Sequence, residues 1–213
     1  ADKSTSDAER QRLCANYVLS HFPILRVRLS NGELVTWLQQ ALLAAENLGD
    51  AASERELLSL LLIAFQEVGS QEPVLEMGNQ LLEKSRAARD RLNQGRAFNA
   101  FANVHVARGQ HDLAEKYLQE SLKYLRKAGD GIDLARALNQ SANLALFRGD
   151  YTRSRDLRLE CIAILEKQGN LLAVGSSLYG ISGVYLFLGD KEAALSSAQR
   201  SVEICRSLGN PTV

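Results

Sequence analysis

The chain has 213 residues, is 46 % apolar, and carries 25 Lys+Arg against 25 Asp+Glu, for a formal charge of zero. That balance argues against direct binding of DNA or RNA, which calls for a basic excess over at least one face. The lack of any run of about 18 apolar residues argues against a transmembrane helix and a membrane partner.

Three cysteines, Cys14, Cys161 and Cys205, form an odd and unpatterned set. They point to a reducing, cytoplasmic setting without a disulfide framework. The first residues, ADKSTSDAERQR, are polar and lack the apolar core of a secretory signal.

Taken in order, residues 1–6 read as a flexible end. A helix is predicted from Asp7 to Phe22, because Leu13, Tyr17, Val18 and Phe22 follow three- and four-residue spacing. Pro23 is expected to end or kink it. ILRVRLS alternates apolar and basic residues, and an irregular connection is preferred there to a strand. Asn31 to Asn47 reads as a helix with Leu34, Leu38, Ala41, Leu42 and Ala45 on one side. Residues 7–50 thus form a divergent helical hairpin.

From residue 51 the punctuation becomes periodic. Gly69-Ser70, Gly109-Gln110, Gly149-Asp150 and Gly189-Asp190 recur every 40 residues. Between them fall Gly49-Asp50, Gly129-Asp130, Gly169-Asn170 and Gly209-Asn210, with Arg89-Asp90 in the remaining slot. A fixed period in this range marks a repeat solenoid. Four helix pairs follow, at 51–90, 91–130, 131–170 and 171–210, the last running to the end of the chain at 213. Glycine at a helix end supplies the left-handed cap, and turns this short force the paired helices antiparallel. Small residues keep the same register: Leu62, Ala102, Ala142 and Ser182; Val74, Ala114, Ser154 and Ala194; Leu81, Ser121, Cys161 and Ser201. They let helix axes approach. The predicted fold is all-α, a right-handed superhelical solenoid of antiparallel helix pairs.

FANVHVARGQHDLAEKYLQESL and SANLALFRGDYTRSRDLRLECI resemble tetratricopeptide repeats, in a 40-residue variant of the usual 34. The phrase from Gly129 to Asn143 and the lead-in WLQQALLAAENLGD resemble the sensor arms of bacterial STAND-type signalling ATPases or transcription regulators. The chain departs from the repeat pattern at Gly78 and Arg158, where a large apolar residue is typical, and at Arg89. The first full repeat carries Glu56, Ser59, Ile63 and Gln66 in its exposed stripe.

The resemblance implies that the first helix of each pair lines a concave face. Two of these helices share a polar stripe: Arg96, Asn99 and Asn103 in one, Arg136, Asn139 and Asn143 in the next. Spacings of three and four put each set on one helix face. An Asn amide offers both donor and acceptor, as a peptide group does, so stacked amides suit an extended chain. Arginine suits a carboxylate. Leu146, Tyr179 and Leu186, with Phe147 and Phe187, would add apolar contacts. The other reading is that these Asn and Arg residues bond one another or neighbouring helices.

His21, His105 and His111 are isolated, so no metal set is expected. Neither a phosphate-binding G-x-x-x-x-G-K-[ST] loop nor a G-x-S-x-G elbow occurs. The expectation is a non-enzymatic module without cofactors that binds a protein segment or peptide in its groove, as the ligand-sensing arm of a larger cytoplasmic signalling protein. The alternatives are a scaffold that associates end to end through an uncapped C-terminal repeat, and a small-molecule sensor.

Overall fold

The structure, a computed structural model, describes the backbone of residues 3–209 and the side chains from residue 7 onward. Ten helices and no strands occur among the described residues. They are α1 (Lys3–Arg28), α2 (Asn31–Leu48), α3 (Ala51–Val68), α4 (Gln71–Ala87), α5 (Arg91–Ala107), α6 (His111–Ala128), α7 (Gly131–Phe147), α8 (Tyr151–Lys167), α9 (Leu171–Leu188) and α10 (Lys191–Ser207). The chain forms two compact units, Ala1–Tyr117 and Leu118–Val213.

Each inter-helix junction is built from two residues with distinct duties. The first closes a helix in the left-handed region. Gly49, for example, has φ 66° and donates to Glu46 O at 3.0 Å, while Asp50 N reaches Ala45 O at 3.0 Å. This pair of bonds satisfies carbonyls that the helix end would otherwise orphan. The second residue opens the next helix. The side chain of Asp50 accepts from Ala52 N and Ser53 N, and that of Asp150 accepts from Arg153 N. Arg89 does the same job as the glycines, at φ 55°.

In the first unit α1 to α5 pack in succession, each on the next. Val18, Leu34, Leu38, Leu57, Leu58, Leu61 and Leu81 are buried to within 2 % of full burial. Each such side chain contributes about 1.5–3 kcal/mol. The expected break at Pro23 is overturned, because α1 continues through it to Arg28. Phe22 and Leu25, on either side of the proline, are buried. Their burial offsets the one backbone bond that proline removes. The expected irregular connection at 23–30 shrinks to a short turn at Leu29 and Ser30. There Ser30 Oγ accepts from Glu33 N while Glu33 accepts from Ser30 N, a reciprocal cap. Of the expected flexible end, residues 1 and 2 lie outside the described residues, and helix begins at Lys3.

In the second unit α7 packs on α8, α8 on α9, and α9 on α10. The small residues do more than make room. Ser154 Oγ donates to Ala142 O at 2.8 Å, Ser201 Oγ to Gly175 O at 2.7 Å, and Cys161 Sγ to Ala135 O at 3.2 Å. All three are buried, and each ties one helix to the backbone of the helix before it. Burial pushes the Cys161 thiol above its usual range, which keeps it protonated and able to donate.

α9 is the most apolar helix. Its 18 residues average 1.7 in mean hydropathy and 39 % of them are buried, so it is long and apolar enough to cross a membrane by length and composition alone. Counting uninterrupted apolar residues missed it, because glycines and serines are scattered among its large ones. Here it lies against α8 and α10.

Candidate functional site

The sequence-predicted residues lie on the exposed faces of α5, α7 and α9. Each unit assembles its own set.

In the first unit, Arg96 is held by acid. Its Nη1 lies 2.9 Å from Glu56 Oε2 and 3.2 Å from Oε1, and it also donates to Ser59 Oγ at 3.3 Å and Asn93 Oδ1 at 3.2 Å. The partners Glu56 and Ser59 stand one helix earlier in the same stripe, on α3. Asn103 Nδ2 donates to Gln66 Oε1 at 3.3 Å and to Asn99 Oδ1 at 3.4 Å. Asn99 is buried. Beside Asn103 a pocket of about 350 Å³ is lined by Gln66, Gln71, Val74 and Val104.

Below this stripe, Gly78 on α4 and Phe101 on α5 fit as a pair. A Cβ at residue 78 would lie 2.5 Å from Phe101 Cε1. The glycine that departs from the repeat pattern is therefore the seat of an aromatic ring. His105 is structural: its ring stacks on Tyr117 with centroids 5.2 Å apart, and Nδ1 lies 2.6 Å from Gln110 Oε1.

The second unit differs. Arg136 is exposed and pairs with Asp133 at 2.5 Å within α7. Asn139 and Asn143 do not bond each other. Both face Arg158, which reaches them from α8: Nη1 donates to Asn139 Oδ1 at 3.0 Å and Nη2 to Asn143 Oδ1 at 2.5 Å. Arg158 is 5 % exposed, and no carboxylate pairs with it among the described residues. Its Nε is buried without a partner. Burial holds the guanidinium below its usual range. Room for it comes from α9, where a Cβ on Gly180 would lie 2.9 Å from Arg158 Cζ and overlap Nη1.

Tyr179, Leu186 and Phe187 on α9 are 66 %, 63 % and 62 % exposed. Leu146 is half-buried and Phe147 exposed. Phe187 also stacks on Tyr151, with centroids 4.9 Å apart and planes within 6°.

Sequence reasoning missed Arg158 as a site residue. It registered only as a charge at an apolar repeat position. The signal that could have found its role was Gly180, a glycine inside a helix 22 residues later, where no cap needs one. Guanidinium has donors only, so both Asn side chains must turn Oδ1 toward Arg158. Each then presents its NH₂ outward. The sequence expected amides that both give and accept; this arrangement offers donors.

Residues 133–207 match the tetratricopeptide repeat family model. BtubC (BKLC) from P. vanneervenii superposes with a TM-score of 0.67 at 17 % identity, covering 96 % of this chain and 90 % of that one. The fold is a tetratricopeptide-like solenoid. A Rap protein complexed with competence and sporulation factor gives a TM-score of 0.74 at 13 % identity, over 95 % of this chain and 55 % of that one. Aspartyl phosphate phosphatase F from Bacillus subtilis gives 0.73 at 12 % identity, over 95 % and 51 %. The chain therefore spans about half the length of these last two. No curated protein sequence matches it.

Proposed function

We propose that this tetratricopeptide-like chain is a non-enzymatic module that binds a peptide or protein segment along the exposed stripes of its odd-numbered helices. The observation that carries the reading is the stripe of the second unit. Outward amide donors at Asn139 and Asn143 share it with three large exposed side chains, Tyr179, Leu186 and Phe187. Exposed aromatics beside positioned polar groups are what binding hot spots consist of. The structural relative complexed with competence and sporulation factor supports a ligand-binding use of the fold. The resemblance to sensor arms of STAND-type ATPases supports a place in a larger cytoplasmic signalling protein. A nucleotide-binding domain encoded in the same gene would test that placement.

The binding test is selection from a random peptide library, followed by titration of the selected peptides. Asn143→Ala and Tyr179→Ala are expected to weaken binding at least tenfold, by about 1.4 kcal/mol or more. Selected peptides that bind both variants unchanged would refute this placement of the groove.

A second reading, self-association, is favoured by Leu195 and Leu208 on α10, which are 60 % and 45 % exposed. Light scattering over a concentration series separates the two. A mass that stays monomeric at the highest concentration rules out self-association.

A further inference from the structure

Arg158 is a buried cation whose counter-charge is absent among the described residues. The same register position holds Gly78, Leu118 and Ala198 in the other repeats, so the layer has no need of a charge. A buried guanidinium without a carboxylate is costly, and its two amide partners offset only part of that cost. The geometry of those amides suggests what completes the site. With Oδ1 of Asn139 and Asn143 committed to the guanidinium, their NH₂ groups point away from it, and neither has another protein partner among the described residues. The two stand one helical turn apart, about 5–6 Å between Cβ atoms, close enough to share one small anion. Arg158 polarises both amides from behind. Gly180 keeps the floor open where any side chain would displace the guanidinium.

We propose that Arg158, Asn139 and Asn143 form a receptor for a single carboxylate, presented by an acidic side chain of the bound peptide. A carboxylate has two oxygens for the two amide donors and one charge for the one guanidinium. Tyr179 and Leu186, exposed on α9, would hold the residues beside the acid. The proposal rests on the peptide-binding reading for the source of the carboxylate, and its chemistry can be tested apart from that reading.

The test is an NMR titration of the whole chain labelled with ¹⁵N. It follows the Arg158 Nε–Hε signal, identified by its loss in Arg158→Leu, and the side-chain NH₂ signals of Asn139 and Asn143. The probes are the capped tripeptide acetyl-Ala-Glu-Ala-amide, its Gln counterpart, succinate and inorganic phosphate. The expected result is a saturable shift of all three groups with the Glu peptide, and at least tenfold weaker binding of the Gln peptide. Succinate is expected to shift the same signals while leaving the α9 backbone amides near Tyr179 unmoved.

Succinate binding with no response to either peptide would uphold the carboxylate site and refute a peptide source. Phosphate binding tighter than both carboxylates would overturn the assignment, as would equal binding of the Glu and Gln peptides or silence with every probe. Library-selected peptides that bind without moving Arg158 would sink the carboxylate site and leave peptide binding standing. These readouts use the wild-type chain, so they hold even where Arg158→Leu folds poorly.

Discussion

Arg96 and Arg158 both place a guanidinium among asparagines, one in each compact unit, yet only Arg96 has a carboxylate against it. Glu56 lies 2.9 Å from the first, and the second has two amide oxygens and an orphaned Nε. Their exposures are also opposed. The Arg96 side chain is 22 % exposed and pairs with a Glu56 that is itself 42 % exposed, whereas Arg158 is buried. The pair that water could have stabilised is neutralised by the protein, and the cation that water cannot reach is left charged. A stripe of similar residues can therefore be self-satisfied in one unit and need an outside acceptor in the other.

The strongest way to break the comparison is to disturb the layers beneath the two sites. Phe101→Ala empties the seat at Gly78 and is expected to cost about 3–5 kcal/mol in denaturant unfolding. The double change Gly78→Leu with Phe101→Ser copies the Leu118 and Ser141 pairing of the next repeat, and is expected to recover a measurable part of that loss.

Next, Arg158→Leu should stabilise the chain by about 1–4 kcal/mol, because a well-packed apolar residue replaces an uncompensated charge. A fall in melting temperature would show that the amides already compensate it.

Asp90→Ala should cost about 1 kcal/mol at neutral pH. Burial acts to raise the Asp90 carboxyl. The backbone and side-chain donors of Asn93, together with Arg55 at 3.2 Å, more than reverse that, so it titrates below the usual range. The stabilisation is full above the unfolded value of about 3.9 and is lost as pH falls through the lower folded value. The gap between variant and wild type should therefore close in acid titrations below about pH 4.

Arg89→Gly should stabilise by about 0.5–1 kcal/mol, since glycine takes the left-handed conformation without strain. Glu56→Gln should change stability least, by under about 1 kcal/mol, because the pair is largely exposed. It is also the sharpest comparison, since it gives Arg96 the neutral surroundings of Arg158. Titration with acetyl-Ala-Glu-Ala-amide should then reveal new shifts at Arg96.

The repeat was legible because its punctuation is local. The Gly and Asp at each junction announce a cap and a start within two residues, and Arg89 could be placed by period alone. Pro23 misled because the burial of Phe22 and Leu25 against other helices outweighed a local rule. The stripe of Arg, Asn, Tyr and Leu residues could be placed on helix faces, since spacing determines which face a residue shares. What those residues touch was not legible. Glu56 lies 40 residues from Arg96 and Arg158 lies 19 from Asn139, and a donor-only partner fixes amide orientation only once it is known to be there. In the sequence, Gly78 and Arg158 appear as departures from a repeat, and their matching partners Phe101 and Gly180 belong to different helices.

The two-residue junctions also bear on how such a chain changes length over time. Both residues of a junction are in use, one closing a helix and the other opening the next, so no spare residue exists to absorb an insertion. One added residue would rotate the following helix by about 100° and turn its apolar stripe toward water. Viable length changes should therefore come as whole duplicated or deleted repeats. A lineage of such proteins would vary in steps, its members differing by multiples of one helix pair while each junction stays two residues long.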